Sequence, residues 1–543
     1  MADIFTRRHS GQNYSSQDHL SQNPFNHQTH FLSRLKLSKQ LLGAAGLSLL
    51  LLSLPGQAAQ EKSNGKPAKT EAQAPEAKVY QTTGQVKING ERVHYETIAS
   101  ETILEDDKDK PLASIFSVTY LRTKIESGQP RPVTFVFNGG PGSASLWLHM
   151  GLFGPKRVVV PGDAKDDGAA PYHLVDNEFS MLDKSDLVFI DPVGTGFSRA
   201  LGEHKGQDFW GVKEDAQSIA EFIRRWLIEH GRWNSPKYIA GESYGTTRAA
   251  ALVDELQSGW TDISVNGVML ISSILDFSHA RYQPGNNQPY IGFLPTMAAT
   301  AFYHDRLAAT DKAMGLSAFV EAARQFAMND YALALLKGSR LPLAQYQAVR
   351  QQLARFTGLT EDYLDRVNLR VSASRYTKQL LRDEDRTVGR LDSRYLGVDY
   401  DSGGERTDAD PSGYGIDGAY TAAIHQYLYQ DLGVKITRPF NVLSVDVNRG
   451  WNWSISGKQM HYVNVAPYLG RAQRENKDFR ILVANGYYDF ATPFFATENT
   501  LADNGIDNSR VEMHYYEAGH MMYIEPSSLK ALAKDIRQFY QAD

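Results

Sequence analysis

Lys237-Tyr238-Ile239-Ala240-Gly241-Glu242-Ser243-Tyr244-Gly245-Thr246 reads as a short apolar strand that enters Gly-x-Ser-x-Gly and then a helix-compatible run over residues 246–256. A serine at such a strand-to-helix turn is pushed out at the strand end with its oxygen accessible. The flanking glycines leave room for the tight turn and for close helix packing. Taken alone, the pentapeptide also suits a glycine-rich turn in which Ser243 merely caps a helix. The surrounding chain has to separate the two readings.

Working outward, residues 187–190 and 238–240 are short apolar runs, each ending in a Gly- or Pro-containing turn. Between them, residues 212–230 place Ile219, Phe222, Ile223 and Trp226 on one helical face. Strand, helix, strand implies a parallel sheet. Residues 265–274 and 480–484 are further apolar strand candidates, and residues 79–137 alternate apolar and polar positions as an antiparallel meander would. Acidic residues 105–110 suit a solvated hairpin turn. From about residue 289 to 429 the period becomes helical, with Phe319, Ala322, Ala323 and Phe326, then Leu353, Phe356 and Leu359. The expected fold class is α/β: a mostly parallel central sheet flanked by helices, its core formed by residues 79–288 and 436–543, with a mainly helical cap inserted at 289–435.

The chain of 543 residues carries a formal net charge of −5 and no long basic run, so neither a nucleic acid backbone nor an anionic membrane is an expected partner. It contains no cysteine, which excludes disulfides, thiolate nucleophiles and zinc-thiolate sites. Arg34, Lys36 and Lys39 precede the apolar run 41–54, which is too short to cross a bilayer as a helix but fits the core of a secretory signal, with cleavage near Ala58 or Ala59. We therefore expect a signal peptide at 1–58, a disordered linker at 59–78, no stable membrane association after cleavage, and an exported protein, periplasmic or secreted. In the Asp- and Gly-rich stretch 398–418, Gly403 breaks the calcium-loop spacing started by Asp399 and Asp401, which leaves a surface loop. No grouping of residues suggests a metal or a cofactor.

A serine oxygen needs a base to take its proton and a carboxylate to orient that base. Asp489 follows the strand candidate 480–484 in Asn485-Gly486-Tyr487-Tyr488-Asp489-Phe490, and His520 stands in Ala518-Gly519-His520-Met521. The order Ser, Asp, His is that of the α/β-hydrolase arrangement. In Asn138-Gly139-Gly140-Pro141-Gly142, after residues 133–137, glycines let backbone N–H groups approach a developing oxyanion together with the N–H of Tyr244.

These motifs, with Asp191-Pro192-Val193-Gly194-Thr195-Gly196-Phe197-Ser198, together resemble the serine carboxypeptidase family, in order and across most of the chain after the linker. The resemblance implies an α/β-hydrolase fold with Ser243 as nucleophile, His520 as general acid and base, Asp489 as its orienter, and Gly140 and Tyr244 as the oxyanion hole. The implied reaction removes C-terminal residues from peptides through an acyl-enzyme intermediate, without a cofactor or metal. Of the Trp, Asn and two Glu with which the family holds the terminal carboxylate, Asn138 and Glu242 are present, while Val136 and Leu152 occupy the other two positions. Two close carboxyls can share a proton, so that one donates to a bound carboxylate. Glu242 without a partner acid needs burial, or another group, to do the same. The triad is also compatible with an esterase, an acyltransferase or a broader peptidase, and the fold with a non-catalytic binding protein.

Overall fold

The architecture is that of a computed structural model describing residues 76–125, 130–166, 168–258, 263–455, 458–459 and 462–541. The expected signal peptide and all but residues 76–78 of the expected linker lie outside the described residues. Three long strands, β1 (Val79–Ile88), β2 (Glu91–Glu105) and β3 (Pro111–Thr123), form the antiparallel meander. In the turn between β2 and β3 the Asp106 carboxylate accepts from the N–H groups of Lys108 and Lys110 at 2.8 and 2.9 Å. β1 and much of β2 alternate buried and more exposed positions, as strands with one wet face do.

The strands that follow are β4 (Val133–Phe137), β5 (Asp186–Ile190), β6 (Lys237–Ser243), β7 (Gly267–Ser273), β8 (Arg480–Gly486) and β9 (Val511–Tyr516). The sheet order is β1-β2-β3-β5-β4-β6-β7-β8-β9, antiparallel as far as the β3–β5 pairing and parallel from β5 to β9. From β4 to β7 every position but Ser243 is buried. Strands of that kind need helices on both faces. On one face pack α1 (Val212–Glu229) and α2 (Tyr244–Leu256); Ile219, Phe222, Ile223 and Trp226 of α1 are buried there, each worth roughly 1.5–3 kcal/mol. On the other lies a C-terminal helix (Pro526–Phe539) with Leu529, Leu532, Ile536 and Phe539 inward. This is the α/β-hydrolase fold.

The stretch expected as a helical cap does hold helices, among them α3 (Gln288–Tyr303), α4 (Leu316–Phe326) and α5 (Leu343–Thr357). Phe319, Ala323, Phe326, Leu353, Phe356 and Leu359 form its core, joined by Tyr488, Phe490, Phe494 and Phe495 from the chain after β8. Cap and Asp489 loop therefore share one hydrophobic cluster. The stretch 398–418 is more than a surface loop: Asp399 is buried against an equally buried Lys378, whose Nζ also donates to the Asp401 carbonyl at 2.7 Å. Among the described residues no group of three or more potential metal ligands occurs, and no helix is long and apolar enough to cross a membrane. The motifs singled out in the sequence all follow the carboxyl ends of parallel strands, where open α/β sheets bind their ligands.

Candidate active site

Ser243 ends β6 with φ +60° and ψ −128°, a backbone conformation that costs a non-glycine residue on the order of 1–3 kcal/mol. Helix α2 starts at the next residue, two earlier than the sequence suggests, and the Ser243 side chain makes no capping hydrogen bond. The capping alternative is thereby removed. A Cβ on Gly241 would lie 2.2 Å from the Gly245 carbonyl oxygen, so this turn closes only over glycine. The Thr246 hydroxyl donates to the Ser243 carbonyl at 2.8 Å and pins the turn.

Asp489, fully buried after β8, is saturated with donors. Its Oδ1 accepts from the N–H of Ala491 at 2.7 Å and of Thr492 at 3.1 Å; its Oδ2 accepts from the Thr492 hydroxyl at 2.7 Å and lies 2.7 Å from His520 Nδ1. Burial works against its charge, yet His520 and Thr492 hold its pKa below the ordinary carboxylate value. Burial likewise disfavours the imidazolium of His520, which is 5 % exposed, and Asp489 outweighs it, so the His520 pKa is raised. The His520 N–H donates to the Leu391 carbonyl of the cap at 2.7 Å, and the Ser272 hydroxyl donates to the His520 carbonyl at 2.6 Å. Asp489 and His520 are thus in direct contact. Ser243 stands at the same strand ends, beside Ser273 in the register of β6 on β7, and its Oγ makes no hydrogen bond among the described residues. An imidazole held this way by a buried carboxylate keeps Nε2 for a proton from an alcohol.

The glycine loop after β4 lies against the elbow: a Cβ on Gly139 would stand 2.5 Å from the Tyr244 nitrogen. Gly140 has φ +102°. Arg248 of α2, wholly buried, donates through Nε to Asp215 of α1 at 2.6 Å and through Nη1 to the Asn138 carbonyl at 2.5 Å. It ties the loop that carries Gly140 to the helix that starts at Tyr244. The Asp191 motif braces the loop from behind, with the Ser145 N–H donating to the Asp191 carboxyl at 2.8 Å.

Val136 and Leu152, at the two positions lacking the expected Trp and Glu, are fully buried apolar residues. Glu242, 4 % exposed, accepts a hydrogen bond from the Tyr523 hydroxyl at 2.7 Å. The Tyr523 ring lies over the turn carrying Leu152, since a Cβ on Gly151 would come within 2.4 Å of it. Burial pushes the Glu242 carboxyl up to about 7, reinforced by Asp489 and opposed by His520, Tyr523 and Asn138. A neutral acid is therefore accessible through burial, without a second acid. Asn138 Oδ1 accepts from the Leu148 N–H at 3.0 Å, while its buried Nδ2 faces the Glu242 carboxyl without completing a hydrogen bond among the described residues. Sequence reasoning missed Thr492, Tyr523 and Arg248; the first two stand three residues after Asp489 and His520, a spacing that by itself signals nothing.

The sequence model of the serine carboxypeptidase family matches residues 115–330. Serine carboxypeptidase-like 13 of Arabidopsis thaliana is 32 % identical over 157 residues, 28 % of this chain and 35 % of that protein. Serine carboxypeptidase-like 5 of the same plant is 33 % identical over 132 residues, 24 % of this chain and 28 % of that protein. The chain thus spans about a third of the length of these curated relatives. Among solved structures, the Kex1 prohormone-processing carboxypeptidase of Saccharomyces cerevisiae superposes with a TM-score of 0.47 at 15 % identity, covering 85 % of this chain and 91 % of that one. The resemblance to serine carboxypeptidases is found by sequence comparison as well as by motif.

Proposed function

We propose that this chain, similar over residues 115–330 to the serine carboxypeptidases, is itself a serine carboxypeptidase that removes C-terminal residues from peptides. Ser243 Oγ attacks the last peptide carbonyl while its proton passes to His520 Nε2. Asp489 keeps the proton of Nδ1 in place and stabilises the imidazolium. The oxyanion is received by the N–H groups of Gly140 and Tyr244. His520 then returns the proton to the leaving nitrogen, the C–N bond breaks, and an acyl-Ser243 ester remains. Water, deprotonated by His520, attacks that ester and restores the serine. The observation that supports the reading is the buried Asp489–His520 pair at 2.7 Å, with a serine held at φ +60° at the carboxyl end of a strand in the same sheet.

The free carboxylate of the substrate is received by Asn138 Nδ2 and by Glu242 in its neutral form, which donates a proton that an ionised Glu242 could not. A second reading, a hydrolase with broader tolerance of the leaving group, is favoured by one observation: apolar Val136 and Leu152 leave only part of the family's carboxylate clamp. Export, with residues 1–58 removed and the mature protein in the periplasm or outside the cell, belongs to the same proposal and rests on the apolar run 41–54.

The test is a timed digest of one peptide with a free C-terminus and of the same peptide amidated, followed by mass spectrometry. Stepwise loss from the free C-terminus and little loss from the amide is the expected outcome. Equal cleavage of both would favour the broader hydrolase, and internal cuts would refute the carboxypeptidase.

A further inference from the structure

Residues 390–393 run between the loops that carry Asp489 and His520 and bond to both through the backbone. The Phe490 N–H donates to the Arg390 carbonyl at 2.9 Å and the Ser393 N–H to the Tyr488 carbonyl at 2.9 Å, so the segment grips both chain neighbours of Asp489. The His520 N–H donates to the Leu391 carbonyl at 2.7 Å. Backbone lies close against backbone here: a Cβ on Gly519 would stand 2.4 Å from the Asp392 Cβ and 2.5 Å from the Leu391 carbonyl oxygen. A shift of this segment therefore moves the base, the carboxylate that orients it, or both.

The other side of the segment rests on Asp410, half-buried in the Asp- and Gly-rich stretch 398–418. Its Oδ1 accepts from the Arg390 N–H at 2.9 Å and its Oδ2 from the Leu391 N–H at 3.0 Å, so the two oxygens take two consecutive backbone donors. Oδ1 also accepts from the Ser412 N–H at 3.1 Å and the Ser412 hydroxyl at 2.8 Å, and that hydroxyl oxygen accepts from the Asp392 N–H at 2.9 Å. Three successive N–H groups thus end on Asp410 or on the buried serine it holds, while the carbonyls of Arg390 and Leu391 face the catalytic loops. The Ser393 end is pinned separately, its hydroxyl 2.7 Å from that of Thr300 in α3. Hydrogen bonds to an ionised acceptor are roughly twice as strong as neutral ones, which suits a carboxylate to this task.

We propose that Asp410 is a positioning residue for the reaction at Ser243: its carboxylate sets where residues 390–392 lie, and they set how the Asp489 carboxylate meets the His520 imidazole. Asp410 touches neither substrate nor reacting atoms and acts only through the two loops. The assignment rests on the Ser243, Asp489 and His520 reading for the chemistry, and on the hydrogen-bond chain for the coupling. A misplacement of about 1 Å can cost about 10²-fold in rate; with the Ser393 end still held by α3, a loss of about tenfold is expected.

The experiment compares wild type, Asp410→Asn and Ser412→Ala. Asn keeps the shape but has one acceptor oxygen, so whichever way its amide turns, the N–H of Arg390 or of Leu391 faces an NH2 group. The readouts are the rate constant of fluorophosphonate labelling at Ser243 across pH, and kcat and KM on a peptide with a free C-terminus. In D410N the labelling rate constant and kcat should fall about tenfold while KM stays within about twofold, and S412A should lose less in the same direction. Burial lowers the His520 pKa, Asp489 and Glu242 raise it, and Arg390 opposes them, so an imidazole that leans away from Asp489 titrates lower. The acid limb of labelling should accordingly move to lower pH in D410N. Thermal unfolding identifies a loss of fold, which lowers the labelled fraction and leaves the rate constant and the acid limb of the folded protein in place. Wild type that labels but releases no C-terminal residue would refute the carboxypeptidase reading and leave the labelling comparison to decide on Asp410. A folded D410N that labels at the wild-type rate with its acid limb unmoved would overturn the assignment, as would a loss confined to KM.

Discussion

Replacing Glu242 by Gln changes one property of the site and leaves its shape. The Gln carbonyl accepts the Tyr523 hydrogen bond as the carboxyl does, but it cannot ionise. In the wild type the carboxyl is pushed from its ordinary 4.5 up to about 7 by burial. A carboxyl raised on folding binds more protons in the native state than in the unfolded chain. Its contribution is therefore intact below pH 4.5 and is lost as pH rises through about 7. At about 1.4 kcal/mol per pH unit, the wild type gives up on the order of 3 kcal/mol by pH 8, and less than about 1 kcal/mol at pH 5. The stability advantage of Glu242→Gln should thus be greater at pH 8 than at pH 5 by about 2.5 kcal/mol. Urea denaturation of both proteins at the two pH values measures it, because groups that do not feel Glu242 cancel in the difference; His520, whose pKa the Glu242 charge raises, does not cancel, and repeating the comparison in a His520→Gln background removes its share. The single variant Glu242→Gln should show a KM for free-carboxylate peptides that stays flat between pH 5 and pH 8, where the wild-type KM rises. A stability gap that does not change with pH would refute the neutral Glu242 and with it the account of how a carboxylate is received.

Thr492→Val removes the hydroxyl that donates to Asp489 Oδ2 and should lower kcat about tenfold or more, with Thr492→Ser restoring it; steady-state kinetics decide, and an undiminished kcat in the Val variant would deny Thr492 a positioning role. Arg248→Met leaves Asp215 buried without its partner and should cost about 3–5 kcal/mol in denaturant unfolding. A loss below about 1 kcal/mol would mean that Asp215 becomes neutral at little cost when unpaired.

The parallel core was legible because β4, β5, β6 and β7 are short apolar runs buried at every position but Ser243, and β4, β5 and β6 run into glycine- or proline-containing turns, so that composition marks them. The last strand, β9, went unread: Val-Glu-Met-His-Tyr-Tyr is an edge strand with five of its six positions half-buried, and its mixed polarity has no clear period. The cap emerged from its helical spacing, but Lys378 reaching back to Asp399 joins residues 21 apart through a pairing that only the fold creates. Ser243, Asp489 and His520 could be picked out because their order along the chain is fixed by the order of the strands they follow. Tyr523 could not. Its role depends on a ring packed over Gly151, some 370 residues earlier, and on a hydroxyl that meets Glu242 from another strand end. Such contacts leave no trace in local composition.

The central claim is that Ser243 is activated by the Asp489–His520 pair, and intact-mass spectrometry after treatment with a fluorophosphonate tests it most directly. The account predicts a single adduct on wild type, mapped to Ser243, with none on Ser243→Ala and far slower labelling of His520→Ala. Labelling of the Ser243→Ala protein at the wild-type rate, or a folded wild type that takes up no reagent, would contradict it.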